Sequence, residues 1–408
     1  MRVLCTVNAT PSHARSLIPL ARALVNAGHD VRVVTSPAMA HTFDQERFTL
    51  DTVMPDAQDW MGLLHAADAA AEARGQVVHR TAPDPTGLIN KIFGAKGWRG
   101  LFKRTLDIAR VYRPDLVLRD DLDCVGYIVA ESLGIPHLAM TGGPTILLDP
   151  DRLADPLEAH GPKFGLGTSG HGLYGFGRVD YVPAPYSFTE HEWPRVLRFR
   201  QPVLTRPGET LPSWIAALPA GRPLVFAAVG TGLPMQAAIQ RDGVPLPTTI
   251  DPRGWIRLVL DALSRIDCVA VVATGGMDVH DLPRAAHVHL TDFVPQPLIL
   301  EIADLFLTHG GYNSIREALR SGVPMVLHPQ GADMPHNAAR VSELGLGVAV
   351  TDPDVEDLVK ACTTVLTNGA FRDRARTARK HVLTLPGVDT APPLLERMVR
   401  TGGEPYHD

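Results

Sequence analysis

Three stretches of the chain hold residues whose types and spacing could do chemistry. At His309-Gly310-Gly311-Tyr312-Asn313-Ser314 an apolar strand, Leu305–His309, runs through two glycines into a helical pattern that starts at Asn313 or Ser314. Glycines let the backbone turn and approach a ligand closely. A helix start behind them is an anion site, because its N–H groups and its dipole both favour negative charge. His309 and Ser314 could add side-chain donors to a diphosphate. The same residues could meet a simpler demand, since Ser314 and Glu317 have capping-box spacing, with Glu317 reaching back to the cap residue. Local rules leave both readings open.

The second stretch is Pro11-Ser12-His13, behind the first apolar run, Val3–Val7, and at the start of a helical pattern. Ligands of α/β sheets bind at the carboxyl ends of strands, and an imidazole there can take a proton near neutral pH. With 17 histidines in the chain, a solvated loop or helix-cap histidine is the competing reading. The third is Arg119-Asp120-Asp121, behind the apolar run Leu116–Leu118. A carboxylate there could orient a histidine base and stabilise its imidazolium form. The alternative is that both aspartates cap the next helix. Asp121-Leu122-Asp123 also matches a D-x-D metal-ligand pattern, but in the first half of the chain, where it reads as coincidence.

A histidine and a carboxylate so far apart in sequence meet only if a fold brings them together. Leu17, Leu20, Ala21, Leu24 and Val25 recur at helical spacing, Gly28 stops the helix, and Val31–Thr35 is a second strand. Such β-α-β units favour a parallel sheet. The rhythm returns at Leu116–Leu118, a helix near Val125–Leu133 and Pro136–Met140. It restarts at Pro223–Val229, then Trp255–Leu263 (helix), Cys268–Ala273 and His287–Leu290 (strands), Leu298–Ile302 (helix), Leu305–His309, Ile315–Arg320 (helix) and Met325–His328. The fold class is α/β with two Rossmann-like domains, joined by the proline-rich stretch Arg200–Arg222. Asp56–Lys103, which contains Trp60, Met61, Phe93, Trp98 and Phe102, reads as a long loop. So does Gly161–Gly177, with seven glycines in seventeen positions. Gly165–Gly170 matches G-x-G-x-x-G but neither follows a strand nor opens a helix, which argues against a dinucleotide fingerprint.

Length and composition agree with this organisation. A chain of 408 residues suggests two domains of about 200 residues each, and 45% apolar residues can fill two cores. Charged residues are 20%, the net charge is −5, and no basic stripe argues for nucleic acid. Cys5, Cys124, Cys268 and Cys362 form no C-x-x-C pair, which argues against a disulfide framework or zinc site. No segment approaches the roughly 18 apolar residues of a membrane span, and the apolar run near the N-terminus is too short for a signal core, so a cytoplasmic protein is expected.

The span from Phe293-Val294-Pro295-Gln296 through His309–Leu319 and Gly322–Val341 to Gly347 resembles, over about 55 residues, the nucleotide-sugar signature of the family 1 glycosyltransferases. Among these it is most similar to bacterial antibiotic and macrolide glycosyltransferases. The resemblance implies a GT-B fold, two Rossmann-like domains facing across a cleft. An acceptor domain would span 1–205, a nucleotide-sugar domain 220–385, and a tail 386–408 would return to the first domain by a helix near Pro392–Arg400. Phe293 would then stack on the base, Val294 hold it by its backbone and Gln296 lie near the nucleoside. His309 and Ser314, with the amides around Gly311 and Asn313, would contact the diphosphate, as would Thr231. Glu317 would accept from the ribose hydroxyls and Asp333 would contact the sugar. The family pairs that acidic residue with glutamine, whereas this chain has Met334, which points to a deoxysugar donor. Ser12-His13-Ala14-Arg15-Ser16-Leu17 resembles the family's G-H-x-x-P-L, with Ser12 and Ser16 replacing glycine and proline. By that match His13 would be the base and Asp120 its carboxylate, with Asp121 the fallback.

The implied activity is an inverting hexosyl transfer that needs no metal and no further cofactor. The donor would be a TDP- or UDP-sugar and the acceptor an apolar small molecule, walled by the two long loops. The enzyme would be a monomer or homodimer, with no nucleic-acid or membrane partner. The alternatives are a nucleotide-sugar epimerase and a non-catalytic GT-B homologue that activates a partner enzyme.

Overall fold

The computed structural model describes residues 1–7, 10–73, 75, 96–143, 155, 157–164, 170–189, 195–206, 208–232, 234–235, 251–331 and 333–402. The chain forms two compact units. Unit 1 comprises Met1–Asp180, Thr189–Phe199 and Pro386–Asp408, and unit 2 comprises Tyr181–Phe188 and Arg200–Leu385.

Unit 1 is built on seven strands, β1 (Arg2–Thr6), β2 (Asp30–Val34), β3 (Thr49–Asp51), β4 (Leu116–Asp120), β5 (His137–Met140), β6 (Arg178–Asp180) and β7 (Val196–Arg198). They lie in the order β3-β2-β1-β4-β5-β6-β7, and the pairs are parallel. Chain order runs outward in one direction from β1 and in the other from β4. The sheet therefore has a topological switch point between those two strands, and loops leaving their carboxyl ends diverge there to open a crevice. The helix Pro11–Asn26 follows β1 and buries Ala14, Leu17, Ile18, Leu20, Ala21 and Leu24. Against it packs the helix Ala391–Arg400, and His29 Nε2 lies 3.2 Å from Glu396 Oε1.

Unit 2 repeats the plan with six strands, β8 (Leu224–Ala228), β9 (Val269–Ala273), β10 (Val288–Thr291), β11 (Leu305–Thr308), β12 (Met325–Leu327) and β13 (Gly347–Ala349). Their order, β10-β9-β8-β11-β12-β13, puts the switch point between β8 and β11. Both faces of this sheet are covered, as an all-parallel sheet requires. Val225, Ala227, Leu305 and Leu307 join one apolar cluster with Trp255, Val259, Leu358 and Cys362. Phe226, Ala228 and Phe306 join the other with Ile315, Ala318, Ala375 and Val382. Phe226 and Phe306 are register partners on neighbouring strands and stack with centroids 5.1 Å apart.

Two expectations are corrected. The stretch Asp56–Lys103 is not a loop where it is described, since it contains the helix Ala57–Glu72 and the start of the helix Lys96–Tyr112. Runs of alanine favour helix whatever the polarity around them. The rings of Trp60 and Trp98 meet at 5.1 Å, and Trp98 and Leu101 belong to the core of unit 1. Phe93 lies outside the described residues. Gly161–Gly177 holds two short 3-10 turns, Gly161–Phe164 and Gly170–Tyr174, and the second buries Leu173 and Tyr174 in the same core. Most of the G-x-G-x-x-G stretch, residues 165–169, lies outside the described residues.

Candidate functional site

Each sheet places a histidine beside its switch point. In unit 1 β1 ends at Thr6, and His13 stands in the first turn of the helix that follows. Asp120 is the last residue of β4, the strand next to β1. The fold thus brings together two residues 107 positions apart. His13 Nδ1 lies 2.7 Å from Asp120 Oδ2 and 2.8 Å from Oδ1. Donation from Nδ1 fixes the tautomer, so in the neutral ring the basic lone pair is on Nε2. Asp120 is buried and also accepts the Leu122 amide at 3.0 Å. Burial opposes its charge, but the neighbouring His13 and the hydrogen bonds it receives hold the carboxyl below its ordinary value. Gly142 makes room for the pair, because a Cβ there would lie 2.5 Å from His13 Nδ1.

Neither Asp120 nor Asp121 caps the following helix. Asp123 does so, accepting from the amides of Val125 and Gly126 at 2.9 and 3.0 Å. Both of its carboxylate oxygens are thus taken up at the helix start. Sequence reasoning passed over Arg119, which is wholly buried in β4. Its guanidinium donates to the backbone carbonyls of Asp120, Asp121 and Leu173 and lies over the rings of Tyr127 and Tyr174. It clamps the backbone from which both carboxylates project. A buried arginine next to two aspartates was the available signal.

In unit 2 His309 follows β11, and the turn Gly230-Thr231 follows the neighbouring β8. The glycines around His309 serve the imidazole first. A Cβ on Gly230 would lie 2.3 Å from its Cε1, and one on Gly311 would lie 2.5 Å from its Nε2. Gly310 turns the chain at φ +88°, a conformation that glycine adopts without strain. Burial pushes the His309 pKa down to about 4, against a hydrogen bond with the Ala228 backbone that raises it. The ring is therefore neutral near pH 7 and offers an N–H donor rather than a positive charge.

The capping box at Ser314 and Glu317 does not form. The helix begins earlier, at Tyr312, with Gly311 as its N-cap and no side chain capping it. Gln296 Nε2 instead donates to Glu317 Oε2 at 2.7 Å and lies 3.3 Å from Ser314 Oγ. Local spacing made Ser314 and Glu317 partners of their own helix end, whereas a side chain from the short helix Gln296–Ile299 claims both. The Asn313 side chain accepts from Arg316, whose buried guanidinium stacks over Tyr181 and Tyr312. Phe293 is 58% exposed while Val294 is buried in the core. Thr231 is exposed in the turn after β8. No hydrogen bond among the described residues ties the side chain of Phe293 or Thr231 to another candidate.

Asp333 reaches the His309 turn through a residue that sequence reasoning missed. Asn337 Nδ2 donates to Asp333 Oδ2 at 2.9 Å and to Gly310 O at 3.0 Å, wholly buried between them. The spacing Asp333-x-x-x-Asn337 at a helix start was the signal that could have found it. Met334 packs against the apolar cluster that contains Trp255.

Family models for the erythromycin biosynthesis protein CIII-like family match both halves of the chain. The N-terminal domain model covers residues 22–155 and the C-terminal domain model residues 257–395. The chain belongs to this family. Relatives of known activity include tylactone mycaminosyltransferase of Streptomyces fradiae, 27% identical over 98% of this chain and 92% of that protein. Erythronolide mycarosyltransferase of Saccharopolyspora erythraea is 25% identical over 98% of this chain and 99% of that protein. Among solved structures, glycosyltransferase VinC in complex with dTDP superposes with a TM-score of 0.73 at 22% identity, covering 98% of this chain and all of that one. Spinosyn rhamnosyltransferase SpnG with thymidine diphosphate gives 0.72 at 20% identity, covering 97% and 100%. At such identities the likeness establishes the fold, which is GT-B. This member of the CIII-like family is a glycosyltransferase. Among its described residues no helix is long and apolar enough to cross a membrane.

Proposed function

We propose that this protein transfers a deoxysugar from a thymidine diphosphate sugar to a hydroxyl group of an apolar natural product, with inversion at the anomeric carbon. His13 Nε2 takes the acceptor's hydroxyl proton as the oxygen attacks the anomeric carbon on the side opposite the diphosphate. The new C–O bond forms, the bond to the diphosphate breaks, and its electron pair leaves with the nucleotide. Asp120 balances the imidazolium that results. The observation that carries this reading is the 2.7 Å hydrogen bond between His13 Nδ1 and Asp120 at the unit 1 switch point. A non-catalytic partner-activating role would leave that pair without a use.

The leaving diphosphate is assigned to the His309–Ser314 turn, where the neutral imidazole and an uncapped helix start would supply donors and no metal is called on. Gln296 and Glu317 are assigned to the nucleoside, Phe293 and the Val294 backbone to the base, Thr231 to the phosphates and Asp333 to the sugar. Two considerations favour a TDP-deoxysugar over UDP-glucose. Met334 cannot hydrogen-bond a sugar hydroxyl as the family's glutamine does, and the relatives named above transfer mycaminose and mycarose. Turnover with a panel of TDP- and UDP-sugars, with EDTA present and the product's anomeric configuration read by NMR, tests the proposal. Faster use of UDP-glucose than of every TDP-deoxysugar would refute the donor assignment, and retention of configuration would refute the displacement.

A further inference from the structure

The proposed reaction gives Asp121 no role, although it is held as firmly as Asp120. It is 2% exposed, its Oδ1 accepts the Gly142 amide at 3.2 Å, and its own amide donates to Met140 O at 3.1 Å. Arg119 Nη1 grips its carbonyl at 3.2 Å. One carboxyl oxygen each from Asp120 and Asp121 and a His13 ring nitrogen all lie within 4.8 Å of one another. Two ionised carboxylates this close in a buried space repel, which favours a proton on one of them.

The surroundings decide which carboxyl carries it. Asp120 accepts from two N–H groups, His13 Nδ1 and the Leu122 amide, and both favour its charged form. Among the described residues the Asp121 side chain accepts from one such donor, the Gly142 amide. The nearby cations are largely engaged elsewhere. Arg178 on β6 donates to Thr141 Oγ1 at 3.0 Å and lies 3.5 Å from Asp180, and Arg119 binds carbonyls. Asp123 adds a further carboxyl two residues on, and the Tyr174 ring, in the 3-10 turn, lies against the Arg119 guanidinium.

We propose that Asp121 is a positioning residue, a neutral carboxyl that donates a hydrogen bond to Asp120 and so fixes the carboxylate's orientation toward His13. The proposal rests on His13 acting as the base. Burial, together with the charge of Asp120, pushes the Asp121 pKa up to about 7, in keeping with a proton retained under mildly acidic conditions. Loss of that proton would break the bond and put a second negative charge in the same buried space.

Asp121→Asn preserves the pattern, since its amide N–H can donate to Asp120 and its oxygen can accept from Gly142. Asp121→Ala removes the donor. The expected result is a fall in kcat of roughly 10- to 100-fold in Asp121→Ala, with KM for the nucleotide sugar little changed. Asp121→Asn should recover most of that loss and keep the acidic limb of the kcat/KM profile in place. Infrared spectra at pH 6 should contain a protonated-carboxyl band that Asp121→Asn lacks. The proposal is overturned if Asp121→Asn is as impaired as Asp121→Ala, or if the unsubstituted protein and Asp121→Asn have the same protonated-carboxyl band. The infrared measurement needs no turnover, so it decides the state of Asp121 even if His13→Ala transfers normally and the base assignment falls.

Discussion

The two units place a histidine at the same topological position and give it opposite surroundings. His13 follows the strand on one side of the unit 1 switch point, keeps part of its side chain exposed, and is tied to a buried carboxylate at 2.7 Å. His309 follows a strand on one side of the unit 2 switch point, is buried, and is walled by the Cα atoms of Gly230 and Gly311. His13 is hydrogen-bonded to a carboxylate, whereas burial pushes the His309 pKa down to about 4. A carboxylate partner suits an imidazole that must gain a proton, whereas a desolvated ring suits one that must never gain it and only donates. Position in the fold makes a residue available to a ligand, and the neighbours decide what it can do there.

Substitutions at the two histidines should therefore fail in different ways. The largest effect is expected from His13→Ala, a loss in kcat of about 1,000-fold with TDP affinity retained by calorimetry. Normal transfer by that variant would remove the contrast altogether. His309→Ala should raise KM for the donor by roughly 10- to 100-fold, the loss of one hydrogen bond to a charged group, and leave the pH profile's acidic limb where it was. A limb that moves with His309 instead of His13 would reverse the assignment.

Stability should show the same contrast. The ordinary histidine pKa of 6.5 applies to the unfolded chain, while folded His309 resists protonation until about 4. Below 6.5 the unfolded state binds the extra proton first, so stability is full above 6.5 and drains away as the pH falls toward 4. A shift of this size corresponds to about 3 kcal/mol. Hydrogen exchange of the β8 and β11 amides between pH 7.5 and 4.5 should show that decline, and His309→Gln should flatten it. The buried His137 of unit 1, also pushed to about 4, makes the equivalent prediction for β4 and β5. The smallest expected change is a shift of a few-fold in kcat/KM toward donors with more hydroxyls in Met334→Gln, measured by direct competition between two TDP-sugars.

Residue order alone carries a good deal of this. Apolar runs with helical spacing between them specify two parallel sheets, because strand and helix periods are local properties and short connections leave few topologies. The signature from Phe293 to Gly347 points to the nucleotide-sugar half, and His13 and Asp120 stand out as candidates through their positions behind strands. Two misjudgements have different causes, a helix propensity that polarity masked and a distant side chain that intervened. Asp56–Lys103 contributes helices and a core tryptophan, and Ser314 and Glu317 answer to Gln296 instead of to their own helix end.

Only the tertiary structure decided which groups share a proton and which glycines serve a neighbour. Strand order set β1 beside β4 and so joined His13 to Asp120, 107 residues away. It set β8 beside β11 and so made Gly230 a wall of the His309 ring. Folding also brought the Gly310 carbonyl to Asn337, 27 residues on, and the Leu173 carbonyl to Arg119, 54 residues back. The physical reason is common to all four cases. Hydrogen bonds and desolvation act over a few ångströms of space, and distance along the chain says nothing of that until strand pairing has been fixed.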